Sequence, residues 1–167
     1  GDYYNGNHPK TGLSLARMIG HKVFISLRTL ASRASKEIKK EEDSSWYQIQ
    51  SSIESYMLHQ GQKFVKRFDA NTYLRILDAW QNFDILDECG FNDYKEIFSR
   101  CSHQKYLIFT INSDVCFYPH HQEELSASLT EGGIDPMHIT VHSEKGHDSF
   151  LLEPELFAPH ISYALNN

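Results

Sequence analysis

Residues 106–119 read Tyr106-Leu107-Ile108-Phe109-Thr110-Ile111-Asn112-Ser113-Asp114-Val115-Cys116-Phe117-Tyr118-Pro119, and they decide the fold. The first six form a continuous apolar, β-rich run. A run of this kind predicts a strand buried on both faces of a parallel sheet, because a half-exposed strand would alternate apolar with polar. A helical pattern follows over about 120–130, with Leu125 and Leu129 facing inward, and Gly132-Gly133 ends it. His138-Ile139-Thr140-Val141-His142 reads as a second, shorter strand. A last helix is expected from about Pro154 to Leu165, with Pro154 suited to its first turn. The order over 104–167 is therefore βαβα.

Upstream the chain changes character. Residues 1–12 read as an N-terminal loop, and 13–103 as an all-helical subdomain. A short helix is expected over 13–22, with Leu15, Met18 and Ile19 on one side, and another from about Leu27. It ends in the charged run Lys36–Asp43, which reads as a solvated helix end. The plainest periodicity lies in 45–68, where Ile49, Ile53, Tyr56, Met57, Gln60, Phe64 and Phe68 recur at steps of three or four. Ser44 or Ser45 is the expected cap. Gly61 interrupts this pattern and marks close packing or a bend. Residues 71–83 form a further helix, capped by Asp69 or Asn71, with Tyr73, Leu77, Trp80 and Phe83 as its apolar stripe. Residues 91–100 form a shorter one.

Two strands do not make an independent doubly wound sheet, so more sheet is expected from sequence upstream of Gly1 or from another chain. The opening Gly1-Asp2-Tyr3-Tyr4, without Met, fits a partial or processed chain. Composition bounds the rest. With 40% hydrophobic residues the 167-residue chain has a globular make-up. A net charge of −6, with Lys and Arg scattered, argues against a nucleic-acid footprint. No apolar run approaches the roughly 18 residues of a membrane span. Cys89, Cys101 and Cys116 form neither a disulfide framework nor a zinc motif, which points to a reducing, cytoplasmic setting.

The chemistry sits after the strands. Asp114 follows the first, and Gly146-His147-Asp148-Ser149-Phe150-Leu151 follows the second. Open α/β sheets place their sites at the carboxyl ends of parallel strands. Adjacent strands would bring Asp114 and His147 together. A carboxylate there holds the imidazole tautomer and stabilises the imidazolium formed in nucleophilic catalysis. Each residue alone has a plain reading, as turn or cap. Their joint occurrence at successive strand ends is what singles them out.

A nucleophile elbow needs a strand, a sharp Gly-x-Ser-x-Gly turn and a helix. The nearest match, Gly12-Leu13-Ser14-Leu15-Ala16, has no strand before it and lies on a helical pattern, so Ser14 is rejected. His8, His21, His59, His103, His120, His121, His138, His142 and His160 show no metal-ligand spacing, and no metal is expected.

At this point the motifs resemble a known family. Gly12-Leu13-Ser14-Leu15-Ala16-Arg17-Met18-Ile19-Gly20-His21 resembles the start of the helical lid of homoserine O-acetyltransferases. The stretch from Glu54 to Leu74, with Gln60-Gly61-Gln62-Lys63-Phe64 and Arg67-Phe68-Asp69-Ala70-Asn71 inside it, is similar to that family's long lid signature and is the most specific match. Ser113-Asp114 and Gly146-His147-Asp148 look like its acid and histidine motifs.

The resemblance implies the C-terminal part of an α/β-hydrolase fold behind a helical lid. It implies ping-pong acyl transfer from acetyl-CoA to L-homoserine, in methionine synthesis, through a Ser-Asp-His triad. His147 would be the general base and acid, and Asp114 its orienting carboxylate. Arg17 would take the homoserine carboxylate and Asp148 the ammonium. Read alone, Arg17 is a surface helix arginine and Asp148 a loop acid. No bound cofactor is implied, acetyl-CoA being a substrate, and the expected partner is a second copy joined through the lid helices. The half of the family's fold that carries the serine and the oxyanion donors is absent, so the chain alone is expected to be inactive. A serine acetyltransferase, a homoserine succinyltransferase and a non-catalytic helical dimerisation module are the alternatives.

Overall fold

The computed structural model describes residues 3–36 and 51–167, which form two compact units, 1–82 and 83–167.

The first unit holds α1 (Lys10–Phe24), α2 (Leu27–Lys36), α3 (Ser52–Val65) and α4 (Ala70–Asn82). Helix α1 begins earlier than the expected 13, inside the expected N-terminal loop. Helix α3 begins later than the expected 45. Ser51 is extended, its side chain accepts from the Glu54 N–H, and the Glu54 carboxylate accepts from the Ser51 N–H. That reciprocal capping box satisfies two end donors and starts the helix there. The proposed caps Ser44 and Ser45, the residue Ile49 and most of the charged run lie outside the described residues. At the other end α3 stops at Val65, so Phe68 is off the helix and stacks on Phe64 at 4.7 Å between ring centroids. The Asp69 carboxylate accepts from the Thr72 N–H at 2.8 Å, as expected of a cap for α4. Its other oxygen accepts from the Tyr3 hydroxyl. On the α4 stripe Tyr73 and Leu77 are half-buried, but Trp80 and Phe83 are exposed.

Ile25, Leu30, Ala34 and Tyr56 form the core of this unit, and α1 crosses α3 at Gly61. A Cβ on Gly61 would lie 2.2 Å from Ser14 Oγ and 2.9 Å from the Ser14 carbonyl oxygen. The backbone contact cannot rotate away. Gly61→Ala is therefore expected to destabilise the chain by about 2 kcal/mol. Overpacking costs about 3, and the better helix propensity of alanine returns about 1. Urea midpoints of Gly61→Ala and of Gly61→Ala with Ser14→Ala check this. The second substitution should recover part of the loss, because only the carbonyl clash remains.

The second unit holds α5 (Ile85–Cys89), α6 (Tyr94–Arg100), β1 (Leu107–Ile111), α7 (Pro119–Glu131), β2 (Met137–Val141), α8 (Ser149–Leu152), a 3-10 turn Pro154–Leu156 and α9 (Ala158–Asn166). The strands pair in parallel with Leu107 against Met137 and Ile111 against Val141. Side-chain parity then divides the core. Ile108 packs with Leu129 and Ile134, and Phe98, Cys101 and Tyr106 border them, so α6 and α7 cover that face. Ile111 and Val141 pack with Phe157 on the other face, flanked by Phe109 and Ile139. Contacts thus group 83–103 with the sheet.

Three details depart from the sequence reading. Burial on both faces holds for Ile108, Thr110 and Ile111, while Leu107, Phe109 and most of β2 stay partly exposed, because the sheet has two strands among the described residues. Leu125 is exposed, and Leu129, fully buried, anchors α7 alone. The helix expected over 154–165 is broken into the 3-10 turn and α9, and α8 precedes it. Proline fits the first turn of a helix but not its interior, and Pro154 and Pro159 each sit at the start of a separate segment.

Candidate active site

Both candidate catalytic residues leave the carboxyl ends of β1 and β2. Asp114 follows Ile111 by three residues and its N–H returns to the Ile111 carbonyl oxygen. Its side chain is buried, at 5% exposure. Oδ1 accepts from the backbone N–H groups of Cys116 at 2.7 Å and Phe117 at 3.0 Å. Oδ2 faces His147 Nδ1 at 2.8 Å. Two backbone donors thus fix Oδ1 and leave Oδ2 aimed at the imidazole.

With Nδ1 donating to that carboxylate, a neutral His147 carries its lone pair on Nε2. The ring is held between two aromatic side chains. Phe117 lies at 5.2 Å and Phe150 at 5.8 Å between centroids, the second edge-on. These residues, with Phe109, Phe157, Asp114 and His147 itself, line an open groove of about 450 Å³. Apolar walls beside a hydrogen bond lower the local dielectric and strengthen it.

Cys116 is the cysteine nearest in sequence to this pair. Burial pushes its thiol above the ordinary range, and the carboxylates of Asp114 and Asp148 push the same way. The thiol stays protonated at neutral pH, which is the reverse of an activated cysteine. Asp148 is partly buried and precedes α8, but its side chain makes no capping bond to that helix.

Arg17 lies in the other unit, on α1. Its guanidinium Nη2 meets His21 Nδ1 at 3.3 Å and its Cζ stands 5.6 Å from the Phe64 ring centroid. His21 is buried, with Nε2 3.1 Å from the Tyr56 hydroxyl. Ser14 is also buried, at 8% exposure, and its hydroxyl has no hydrogen-bond partner among the described residues. It faces Gly61 at the helix crossing.

The sequence reading finds Asp114 and His147, and the structure joins them. It misses the two backbone donors to Asp114 and the aromatic walls Phe117 and Phe150. It also misses His21 and Tyr56, which look like ordinary helix residues until α1 meets α3. The motif Phe117-Tyr118-Pro119 carried a signal for the wall, since a ring three residues beyond the acid can fold back over the histidine.

No family model matches the chain. A homoserine O-succinyltransferase of Nitrosomonas europaea is 34% identical over 168 residues, which cover all of this chain and 44% of that protein. A homoserine O-acetyltransferase of Haemophilus influenzae is 34% identical over 161 residues, covering 96% of this chain and 44% of its own length. The chain therefore spans less than half the length of these curated relatives. Among solved structures, homoserine O-acetyltransferase from Bacillus anthracis superimposes with a TM-score of 0.80 at 18% identity, over 98% of this chain and 43% of that one. At that identity the structural likeness establishes an α/β-hydrolase-type framework and no more. The sequence matches make the chain similar, over nearly its whole length, to a portion of the homoserine O-acyltransferases.

Proposed function

We propose that this chain supplies the acid and the histidine of a Ser-Asp-His triad in a homoserine O-acyltransferase, with the serine outside its 167 residues. One observation carries the reading: His147 Nδ1 lies 2.8 Å from Asp114 Oδ2 at the ends of two paired parallel strands. Relatives named for acetyl and for succinyl transfer both match the chain at 34% identity. Acetyl-CoA is the proposed donor, with succinyl-CoA the alternative, and no bound cofactor is needed.

In the first half-reaction His147 Nε2 takes the serine proton as the serine oxygen attacks the thioester carbonyl. The imidazolium then protonates the departing CoA thiolate. In the second half-reaction His147 deprotonates the homoserine hydroxyl, which attacks the acyl-serine, and returns that proton to the serine. Arg17 binds the homoserine carboxylate, for which a guanidinium is suited, and Asp148 binds the ammonium. Helices α1–α4 act as the lid. Exposed apolar residues on α4, including Leu74, Ile76 and Trp80, suit pairing with a second copy. The free thiols of Cys89, Cys101 and Cys116 suit a cytoplasmic protein. No helix among the described residues is long and apolar enough to cross a membrane.

The test is release of CoA from acetyl-CoA and from succinyl-CoA in the presence of L-homoserine. The complete enzyme, including the segment with the serine, is expected to turn over, and this chain alone is not. Turnover by this chain alone that disappears in Ser14→Ala would overturn the proposal.

A further inference from the structure

The loop that carries His147, residues 142–148, is tied to the loop that carries Asp114, residues 112–118, by side chains outside the acid–histidine pair. The backbone N–H of Ser143, at the root of the histidine loop, donates to Asn112 Oδ1 at 3.0 Å. The N–H of Gly146 donates to Ser113 Oγ at 3.0 Å. Between these ties the Lys145 N–H donates to Ser143 Oγ at 3.0 Å, and that hydroxyl donates to the Glu153 carboxylate. Gly146 has φ 77°, the left-handed region, which turns the chain back so that His147 faces Asp114.

The placement of these bonds is what matters. Ser113 immediately precedes Asp114, and Gly146 immediately precedes His147. The Ser113–Gly146 bond therefore joins the nearest backbone neighbours of the two reacting side chains. The Asn112–Ser143 bond is a second anchor, at the root of both loops. One tie would leave the histidine loop free to swing about it, and two ties fix both distance and direction. An imidazole that must accept and return a proton needs its position held within about half an ångström by such a supporting shell.

We infer that Asn112 and Ser113 are positioning residues, clamping the histidine loop to the aspartate loop and so setting the Asp114–His147 bond. The inference rests on reading that pair as the acid and base of the reaction.

The contrast that tests it is Ser113→Thr against Ser113→Val, two side chains of one shape that differ by the hydroxyl. The readout is the His147 Nδ1–H proton resonance of the 15N-labelled chain, with its exchange rate. In the natural chain the resonance should lie downfield and vanish in Asp114→Asn. In Ser113→Val it should exchange about tenfold faster, the factor expected for one lost hydrogen bond, and Ser113→Thr should restore it. Asn112→Ala and Asn112→Asp should differ in the same sense, since aspartate keeps the acceptor. Ser128→Ala, which removes a hydroxyl bond to the Glu124 carbonyl oxygen elsewhere in the unit, should leave the resonance unchanged. In the complete enzyme Ser113→Val should lower kcat about tenfold with little change in KM for homoserine.

A resonance present in the natural chain and equally protected in Ser113→Val overturns the clamp and leaves the acid–base pair standing. A resonance that is insensitive to Asp114→Asn overturns the pair itself. Loss of the resonance in Ser113→Val and Ser113→Thr alike assigns the effect to shape and also overturns the clamp.

Discussion

Asp114→Asn is expected to lower the acyl-transfer kcat of the complete enzyme by about 10⁴-fold, while the chain keeps its fold. The amide is the same size as the carboxylate, so the groove and the strands are undisturbed. What changes is the donor and acceptor pattern. In the natural chain Oδ1 accepts two backbone N–H groups, from Cys116 and Phe117, and Oδ2 faces Nδ1 of His147. Asparagine keeps one oxygen, and the backbone donors hold it in the Oδ1 place. The NH₂ group then points at His147 Nδ1, so the imidazole must present a lone pair there and carry its proton on Nε2. That is the wrong tautomer for a base acting through Nε2, and the imidazolium that forms later has lost its counter-charge. In serine-type triads this change costs about 10⁴ in kcat. Single-turnover measurement of acyl-serine formation checks it, because on the proposed mechanism both half-reactions use the same base. A loss of less than tenfold would mean that His147 does not act through this pair. A separate unfolding curve should show a much smaller effect, since the substitution leaves a hydrogen-bonded, isosteric group in place.

The acid and the histidine are legible in the sequence because their meeting requires little tertiary information. Each follows a β-rich run, and one parallel pairing, Ile111 against Val141, suffices to bring the loops together. Strand β1 is legible for the same reason, as a β-rich run from Tyr106 to Ile111, polar only at Thr110, allows few other readings. Where the sequence reading errs, a longer-range or competing signal decides. The apolar spacing places the start of α3 at residue 45, and the described helix starts at Ser52. The Ser51–Glu54 capping box, also present in the sequence, sets that start because it satisfies real backbone donors. Leu125 fits the helical period of α7, yet only Leu129 reaches the core shared by Ile108 and Ile134. The pattern gives the face of a helix but not how far the neighbouring layer extends. Phe117 beside His147 and Tyr56 beside His21 are set by contacts between elements, which no local spacing encodes. His21 stands four residues from Arg17 on α1 and Phe150 three from His147, so those two pairs lie within reach of local spacing.

His21 gives the second large effect, on stability against pH. Its side chain is 5% exposed, its Nδ1 receives the Arg17 guanidinium and its Nε2 meets the Tyr56 hydroxyl. An N–H of Arg17 can only donate, so Nδ1 must be the acceptor and Nε2–H the donor to Tyr56. The ring is therefore held neutral. Burial lowers its pKa from the ordinary 6.5 to about 4, with the charges of Arg17 and Arg33 adding to the effect. The sign follows from proton counting. Above pH 6.5 the ring is neutral in the folded and unfolded chain, and it contributes no slope. Between 6.5 and 4 the unfolded chain takes up a proton that the folded chain refuses, so stability falls as the pH falls. Each unit of separation corresponds to about 1.4 kcal/mol. Lowering the pH from 7 to 4.5 is therefore expected to remove about 2 kcal/mol through this residue alone. The measurement is the difference in urea-unfolding free energy between the natural chain and His21→Phe at pH 7, 5.5 and 4.5. The variant should lose the Tyr56 bond and be weaker at pH 7, and the gap should narrow by about 2 kcal/mol on acidification. A gap constant over that range would show that His21 takes up its proton in the folded chain as freely as in the unfolded one. Protonation would also set a positive ring against Arg17 and remove its acceptor. On the proposed role of Arg17, homoserine binding should weaken on acidification toward pH 4 in the natural enzyme and not in His21→Phe.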